Sequence, residues 1–81
     1  MNRRLSPGAV EDYIVAPSGV RKAFDKQVKL LVGNLHHPSL RAQKYDEAND
    51  LWQARVNRGW RFYFMIQDAT YVIVAIVAHP K

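Results

Sequence analysis

The sequence predicts an α+β fold in which a short helix and one long helix pack on one face of a three- to four-stranded antiparallel sheet. A change of hydrophobic period supports this prediction. Apolar residues recur at helical spacing through residues 20–35, and beyond residue 40 they alternate with polar residues as they do in strands. Two tight-turn sequences, Asn57-Arg58-Gly59 and Asp68-Ala69, separate the alternating segments. Helices followed by a hairpin-connected sheet are typical of this class.

Two helices are predicted in the first half of the chain. Ser6-Pro7 combines a typical N-cap residue with proline at the first helical position, which predicts a short helix over residues 7–15. After the break at Pro17, Ser18 is expected to cap the long helix. Gly33-Asn34 is expected to end that helix in a left-handed conformation. The apolar stripe of the long helix comprises Val20, Phe24, Val28, Leu31 and Leu35.

Strands are predicted over residues 51–56, 60–67 and 70–78, with residues 41–46 as a fourth strand. Alternation assigns their side chains to two faces. The face expected to meet the helices contains Trp52, Ala54, Val56, Trp60, Phe62, Phe64, Ile66, Val72, Val74 and Ile76. The opposite face, which we call the open face, is expected to contain Gln53, Arg55, Asn57, Arg61, Tyr63, Tyr71 and His79. Helices on only one side leave the other exposed, so functional residues are expected there.

The composition favours a polyanionic partner. The 81 residues, expected to form one domain over residues 1–81, carry a formal net charge of +5 and contain no cysteine for disulfides or thiolate metal sites. Residues 18–35 and residues 51–81 each contain four basic and one acidic side chain, a net +3 per segment. No apolar run approaches the ~20 residues of a membrane helix, and the N-terminus does not resemble a signal peptide. We therefore expect a cytoplasmic protein without a membrane partner.

Most of the chain resembles the RelE/ParE superfamily of bacterial toxins, in particular its ribonuclease members. The resemblance covers residues 18–81 and is carried by His37-Pro38-Ser39-Leu40-Arg41, by the strand–turn–strand segment of residues 51–64, and by Val77-Ala78-His79-Pro80-Lys81. Its most specific part is a Trp-x-x-Arg-Val strand followed by a short turn and an aromatic-Arg strand.

This resemblance implies a toxin that is encoded beside an antitoxin. The toxin would cut mRNA on the ribosome without a metal ion or cofactor. Arg55 matches a basic position on the central strand, and Arg61 matches the arginine that contacts the scissile phosphate. His79 matches a position on the terminal strand where some members have a histidine acid or base. Lys44 lies near another basic position. The candidates for RNA binding are Lys44, Arg41, Arg58, Tyr63 and Tyr71.

Three departures from the family pattern are expected to affect activity. Gln53 stands where many relatives have a charged residue that transfers protons. The N-terminus is expected to lack the family's first strand. No residues follow Lys81, whereas several relatives have C-terminal residues that take part in catalysis.

Each candidate residue also has a structural interpretation. Arg55 and Arg61 would bind phosphate bidentately, or would solvate the sheet and pair with the acidic residues Asp46, Glu47 and Asp50. His79 would transfer a proton near neutral pH, or would be a surface residue. Tyr63 and Tyr71 would stack on bases, or would stabilise neighbouring strands. The adjacent histidines His36 and His37 are expected to be part of a turn rather than ligands of a metal ion.

Three functional hypotheses remain open at this point. The chain is a ribosome-dependent endoribonuclease toxin, a ParE-like inhibitor of DNA gyrase without catalysis, or a toxin-like domain that only binds antitoxin. An acidic, partly disordered antitoxin is the expected protein partner in every case.

Overall fold

A computed structural model describes residues 1–79, so Pro80 and Lys81 at the end of the last family motif lie outside the described residues. The elements are β1 (Asn2–Leu5), α1 (Pro7–Val15), α2 (Ser18–Gly33), a 3₁₀ turn (Pro38–Leu40), β2 (Gln43–Asp46), β3 (Leu51–Asn57), β4 (Trp60–Gln67) and β5 (Thr70–Ala78). The strands form one sheet in the order β1-β5-β4-β3-β2. Both helices pack on the same face of this sheet, which confirms the predicted α+β class.

The sheet has five strands rather than the predicted three or four, and the expected absence of a first strand is wrong. β1 pairs with β5 in parallel, from Asn2 opposite Thr70 to Leu5 opposite Ile73, whereas the other pairs are antiparallel. Only Leu5 of β1 is even partly buried. An edge strand of polar residues lacks the alternation that identifies strands in a sequence, because its position is fixed mainly by backbone hydrogen bonds.

The helices begin and end close to their predicted limits, but two of their predicted caps are absent. Ser6 caps α1 as expected, since its Oγ accepts a hydrogen bond from the Ala9 N–H at 3.2 Å. The N-cap of α2 is Pro17, and Ser18 is already helical, so Ser18 makes no capping bond. Asn34 ends α2 with an extended backbone instead of a left-handed one. Within residues 1–79, no helix is both long enough and apolar enough to cross a membrane.

The core lies between α2 and the covered face of the sheet. Phe24 and Phe62 meet edge to face with ring centroids 5.3 Å apart, and Phe62, Phe64, Leu31, Leu40 and Ile73 are almost fully excluded from solvent. The predicted apolar stripe of α2 therefore meets the predicted aromatic face of β3 and β4.

A β-bulge in β5 reverses part of the predicted face assignment. Tyr63 pairs with Ala75 while Phe64 pairs with Ile73, so Val74 is an extra residue in β5. Residues before the bulge consequently exchange faces, and Tyr71 is buried against Phe64 with ring centroids 5.6 Å apart. The prediction that Tyr71 lies on the open face is wrong, and its side chain is not available to stack on RNA bases.

Candidate nucleic-acid interface

Two arginines face each other on the open face. Arg55 of β3 and Arg61 of β4 share this face, as the sequence predicts, and the structure makes them direct cross-strand partners. Within residues 1–79, neither guanidinium forms an ion pair: the salt bridges join Lys44 to Glu47 and to Asp50. The alternative prediction, that these arginines pair with acidic residues, is therefore wrong. Glu47 and Asp50 pair with Lys44 instead, and Asp46 accepts hydrogen bonds from Asn49. Two adjacent cations without a counter-ion in this part of the chain repel each other, and an anion between them would relieve that repulsion.

Arg61 is held by the turn that precedes β4. Its Nη1 donates to the backbone carbonyls of Asn57 at 2.8 Å, Trp60 at 2.9 Å and Arg58 at 3.3 Å. The turn is itself fixed by the Gly59 N–H, which donates to Asn57 Oδ1 at 2.9 Å. One end of the guanidinium is thus anchored, so its position relative to Arg55 is set before a ligand binds.

Arg55 is held through its backbone by a buried glutamine of α2. The Gln27 amide donates to the Arg55 carbonyl at 2.8 Å and to the Ser39 carbonyl at 3.1 Å, and it accepts from the Ser39 hydroxyl at 3.1 Å. Gln27 is only 4% exposed. The pKa of Arg55 is lowered mainly by burial. The neighbouring charges of Arg41, Arg61 and Arg58 lower it further. Arg55 is therefore surrounded by other positively charged side chains.

Arg41 and His79 complete an open cleft of about 300 Å³, which we call the arginine cleft. Its walls also include Gln43, Gln53, Arg55 and Arg61, and no carboxylate of residues 1–79 lines it. The His79 N–H donates to the Gly59 carbonyl at 2.7 Å, which continues the pairing of β5 with β4 as far as the cleft. The structure therefore brings together the three predicted catalytic residues Arg55, Arg61 and His79.

Arg41 has an unusual backbone. It follows the 3₁₀ turn with φ = 47°, in the left-handed region that residues other than glycine rarely adopt. Such conformations occur preferentially at functional sites, where the surrounding structure maintains them. Here the conformation places Arg41 beside the arginine cleft.

A polar and aromatic row lies next to the arginine cleft. Gln53 Nε2 donates to the Tyr63 hydroxyl at 2.9 Å, and the Tyr63 ring meets Tyr45 edge to face at 5.0 Å. Tyr45 is 60% exposed. The pair of tyrosines on the open face is therefore Tyr45 and Tyr63, where the sequence predicts Tyr63 and Tyr71. The alternation of Gln43 and Tyr45 in β2 is the only sequence signal for Tyr45.

Lys44, like Tyr71, is an RNA-binding candidate that the structure does not place on the open face. It pairs with Trp52 across β2 and β3, and its ammonium group lies 5.3 Å from the centre of the Trp52 ring, which belongs to the covered face. Its Nζ also lies 2.6 Å from Asp50, and that hydrogen bond raises the pKa of Lys44. Strand alternation puts Lys44 on the opposite side of the sheet from Arg55, so the structure does not place this predicted RNA-binding residue beside the two arginines.

The remaining candidates take simpler positions. Arg58 lies exposed in the β3–β4 turn. His37 accepts a hydrogen bond from the Ser39 N–H at 3.1 Å through Nδ1 and so caps the 3₁₀ turn, and His36 is exposed beside it. Within the described part of the chain, no three His, Cys, Asp or Glu side chains come together as metal ligands would.

Comparison with known proteins identifies the fold. No protein-family model and no curated protein sequence matches the chain. Solved structures match over almost its whole length. A YoeB/ParE toxin from Agrobacterium tumefaciens has a TM-score of 0.83 at 9% identity, with 99% of this chain and 100% of that chain covered. The YoeB dimer from Staphylococcus aureus has a TM-score of 0.82 at 20% identity, with 99% and 98% covered.

A third match is the heterotetrameric YoeB–YefM toxin–antitoxin complex from Staphylococcus aureus, with a TM-score of 0.79, 21% identity and 99% and 98% of the two chains covered. At these identities the likeness shows a shared fold. It is the fold of these YoeB/ParE and YoeB toxins, so the fold that the sequence resemblance implies is confirmed.

Proposed function

Because the chain has the fold of the RelE/ParE toxins, we propose that it is the toxin of a type II toxin–antitoxin system and cuts mRNA on the ribosome. The observation that carries this proposal is the arginine cleft, where Arg41, Arg55, Arg61 and His79 line one cavity and no carboxylate of residues 1–79 joins them. A cavity with this charge attracts anions, and it suits phosphates best because guanidinium groups match phosphate oxygens bidentately.

In the proposed reaction Arg55 and Arg61 bind the scissile phosphate. The ribose 2′-oxygen attacks phosphorus, the bond between phosphorus and the 5′-oxygen of the next nucleotide breaks, and a 2′,3′-cyclic phosphate remains. Negative charge accumulates on the non-bridging oxygens during attack. The Arg61 guanidinium, which the turn holds in place, and the Arg55 guanidinium beside it would stabilise that charge, which is the largest contribution that such a site offers.

His79 is the proposed proton-transfer residue. The 2′-hydroxyl must lose a proton and the leaving 5′-oxygen must gain one, and imidazole does either near neutral pH. Among the described residues, the cleft offers one imidazole and no carboxylate, so it supplies one of the two transfers. Gln53 takes no part because its amide cannot exchange protons in this way. In the proposed reaction the second transfer depends on the ribosome–mRNA complex, and for this reason we expect cutting to require ribosomes.

The proposed protein partner is a cognate antitoxin, and the proposed location is the cytoplasm, where mRNA is translated. The complex of YoeB with YefM supports the partner, since that protein of the same fold is bound to an antitoxin. A basic open face suits an acidic, partly disordered partner. An antitoxin that neutralised the charges of the arginine cleft would also prevent the cleft from binding RNA.

A second candidate function is inhibition of DNA gyrase by binding alone. One observation favours it: the proton-transfer position at Gln53 is occupied by an amide that is bound to Tyr63. In that case the basic face would bind a partner without chemistry. An assay of gyrase supercoiling distinguishes the two candidates.

Primer-extension mapping of a reporter mRNA in a translating extract tests the proposal. Wild-type protein is expected to produce discrete cuts only when ribosomes are present. Arg55→Ala and Arg61→Ala are each expected to reduce cutting by roughly 10²-fold, because each removes a charge from the transition-state site. Arg4→Ala is the matched control, since Arg4 is an exposed arginine of β1 outside the cleft. Absence of cuts from folded wild-type protein, together with gyrase inhibition, would overturn the proposal.

A further inference from the structure

A second basic cleft lies beside the last residues of β3, which β2 does not pair with. It has a volume of about 540 Å³ and is bounded by α2, the 3₁₀ turn and the β3–β4 turn. Four cationic residues line it. They are Lys26 of α2, Arg41 directly after the 3₁₀ turn, Arg55 of β3 and Arg58 of the β3–β4 turn. No acidic residue of the described range, residues 1–79, lines it.

The charges of this second cleft are not neutralised by the described part of the protein. Within residues 1–79 the salt bridges involve only Lys44, so none of the four cations has an acidic partner there. Arg58 and Arg41 both contribute to the positive potential felt by Arg55. Holding like charges around one cavity costs free energy unless an anion occupies it.

The second cleft adjoins the arginine cleft. Arg41 and Arg55 line both of them. An occupant that fills both clefts must therefore present anionic groups on either side of this pair. A single-stranded nucleic acid has this form, because its phosphates are joined at regular intervals along one chain.

We propose that the second cleft binds a backbone phosphate of the same RNA strand, next to the scissile phosphate, through Lys26 and Arg58. This inference rests on the proposed function for the identity of the polyanion. The strand would run from the open face, past Arg41 and Arg55, to the middle of α2. Lys26 thereby becomes an RNA-binding residue, although it lies on a helix and not on the sheet.

An acidic protein segment fits the second cleft less well. Protein partners are normally anchored by apolar or aromatic side chains in pockets. The apolar residues of this lining are Ala23, Pro38 and Val56, and Val56 is only 4% exposed. The most exposed of the large apolar side chains in the described range are instead on α1, where Ile14 is 67% and Val15 80% exposed. The second cleft thus offers charge with little apolar surface for an anchor, which suits a phosphate backbone.

The test measures binding of a short, fluorescein-labelled 2′-O-methyl RNA, which cannot be cut, by anisotropy at a series of salt concentrations. The variant is Lys26→Gln with Arg58→Gln. The control, Lys22→Gln with Lys29→Gln, removes the same charge from exposed positions of α2 outside the cleft. The binding constant falls with salt, so the slope of its logarithm against log salt is negative. We expect this slope to become shallower in the cleft variant by about 0.7 for each phosphate that it no longer binds, and to change much less in the control.

Oligonucleotide length gives a second readout that does not depend on folding differences. Affinity of the wild type should increase when the RNA is extended from the arginine cleft by further nucleotides, and this increase should disappear in the cleft variant. Equal slopes and equal length dependence in the cleft variant and the control would overturn the inference. It would also be overturned if poly-glutamate, used as an acidic peptide, bound the cleft variant more weakly than the wild type while RNA bound both equally.

These results are independent of cutting. If the wild type cuts mRNA but the cleft variant binds RNA normally, the inference fails and the proposed function stands. If the wild type binds RNA through Lys26 and Arg58 but never cuts on ribosomes, the phosphate site stands and the proposed ribonuclease activity fails.

Discussion

At the scale of single residues, Gln27 connects the core to the candidate site. It lies on the apolar stripe of α2 between Phe24 and Leu31, where a polar side chain is unexpected. Its amide holds the 3₁₀ turn and the backbone of Arg55 together. A buried polar group is tolerated when its hydrogen bonds are satisfied, as they are here. The sequence offers a signal, the position of Gln27 within the stripe, but not the identity of its partners.

Gln27→Leu is expected to lower the free energy of unfolding by about 1–3 kcal/mol, because the carbonyls of Ser39 and Arg55 lose their donor. Gln67→Leu is the matched control, since Gln67 is exposed at the end of β4, and a change within about 0.5 kcal/mol is expected there. Urea unfolding followed by circular dichroism measures both. Equal stabilities of the two variants would show that the Gln27 hydrogen bonds do not secure β3.

At the scale of elements, the strength of the periodic signal determines what the sequence can predict. α2 and the hairpin of β4 and β5 are predictable because their patterns extend over many residues, and positive φ at both Asp68 and Ala69 matches the predicted tight turn. β1 has almost no buried residue, so no pattern marks it. The bulge at Val74 leaves no sequence signature either, and for that reason the predicted face of Tyr71 is wrong. Arg55 and Arg61 are assigned to the correct face because they are directly opposite each other beside their turn.

The burial of Tyr71 by the bulge predicts a dependence of stability on alkaline pH. Burial raises the pKa of Tyr71 above its ordinary value. The neutral phenol is therefore favoured in the folded state, and its contribution to stability is complete below the ordinary tyrosine pKa of about 10 and is lost as the pH rises through the folded value. Tyr71→Phe should unfold at a similar temperature at neutral pH and should lose less stability above pH about 10.

The control for this prediction is Tyr45→Phe, because Tyr45 is exposed on the open face. Thermal melting of the wild type and both variants at neutral and alkaline pH measures the effect. If Tyr71→Phe follows the wild type at every pH, while Tyr45→Phe removes the alkaline loss, then Tyr71 is not the buried tyrosine and the bulge assignment is incorrect.

At the scale of the whole molecule, the fold separates stability from function. The two helices cover one face of the sheet and supply the core, which leaves the opposite face to hold the arginines. Composition predicts a polyanionic partner from the charge of +5, and the strand period predicts which face would bind it. The closing of the arginine cleft by Arg41 depends on the 3₁₀ turn and on a left-handed backbone. These are tertiary features, so the sequence predicts the face but not the cleft.

The central claim is that the arginine cleft cuts RNA by using the ribose 2′-hydroxyl. The most direct test uses ribosome-bound mRNA that carries a single 2′-deoxynucleotide at the mapped cleavage site, in a single-turnover reaction with excess protein. The all-ribose message should be cut to a 2′,3′-cyclic phosphate and a 5′-hydroxyl, and the substituted message should bind equally well but remain intact at that site. Cutting of the substituted message at the same position and rate would contradict the claim.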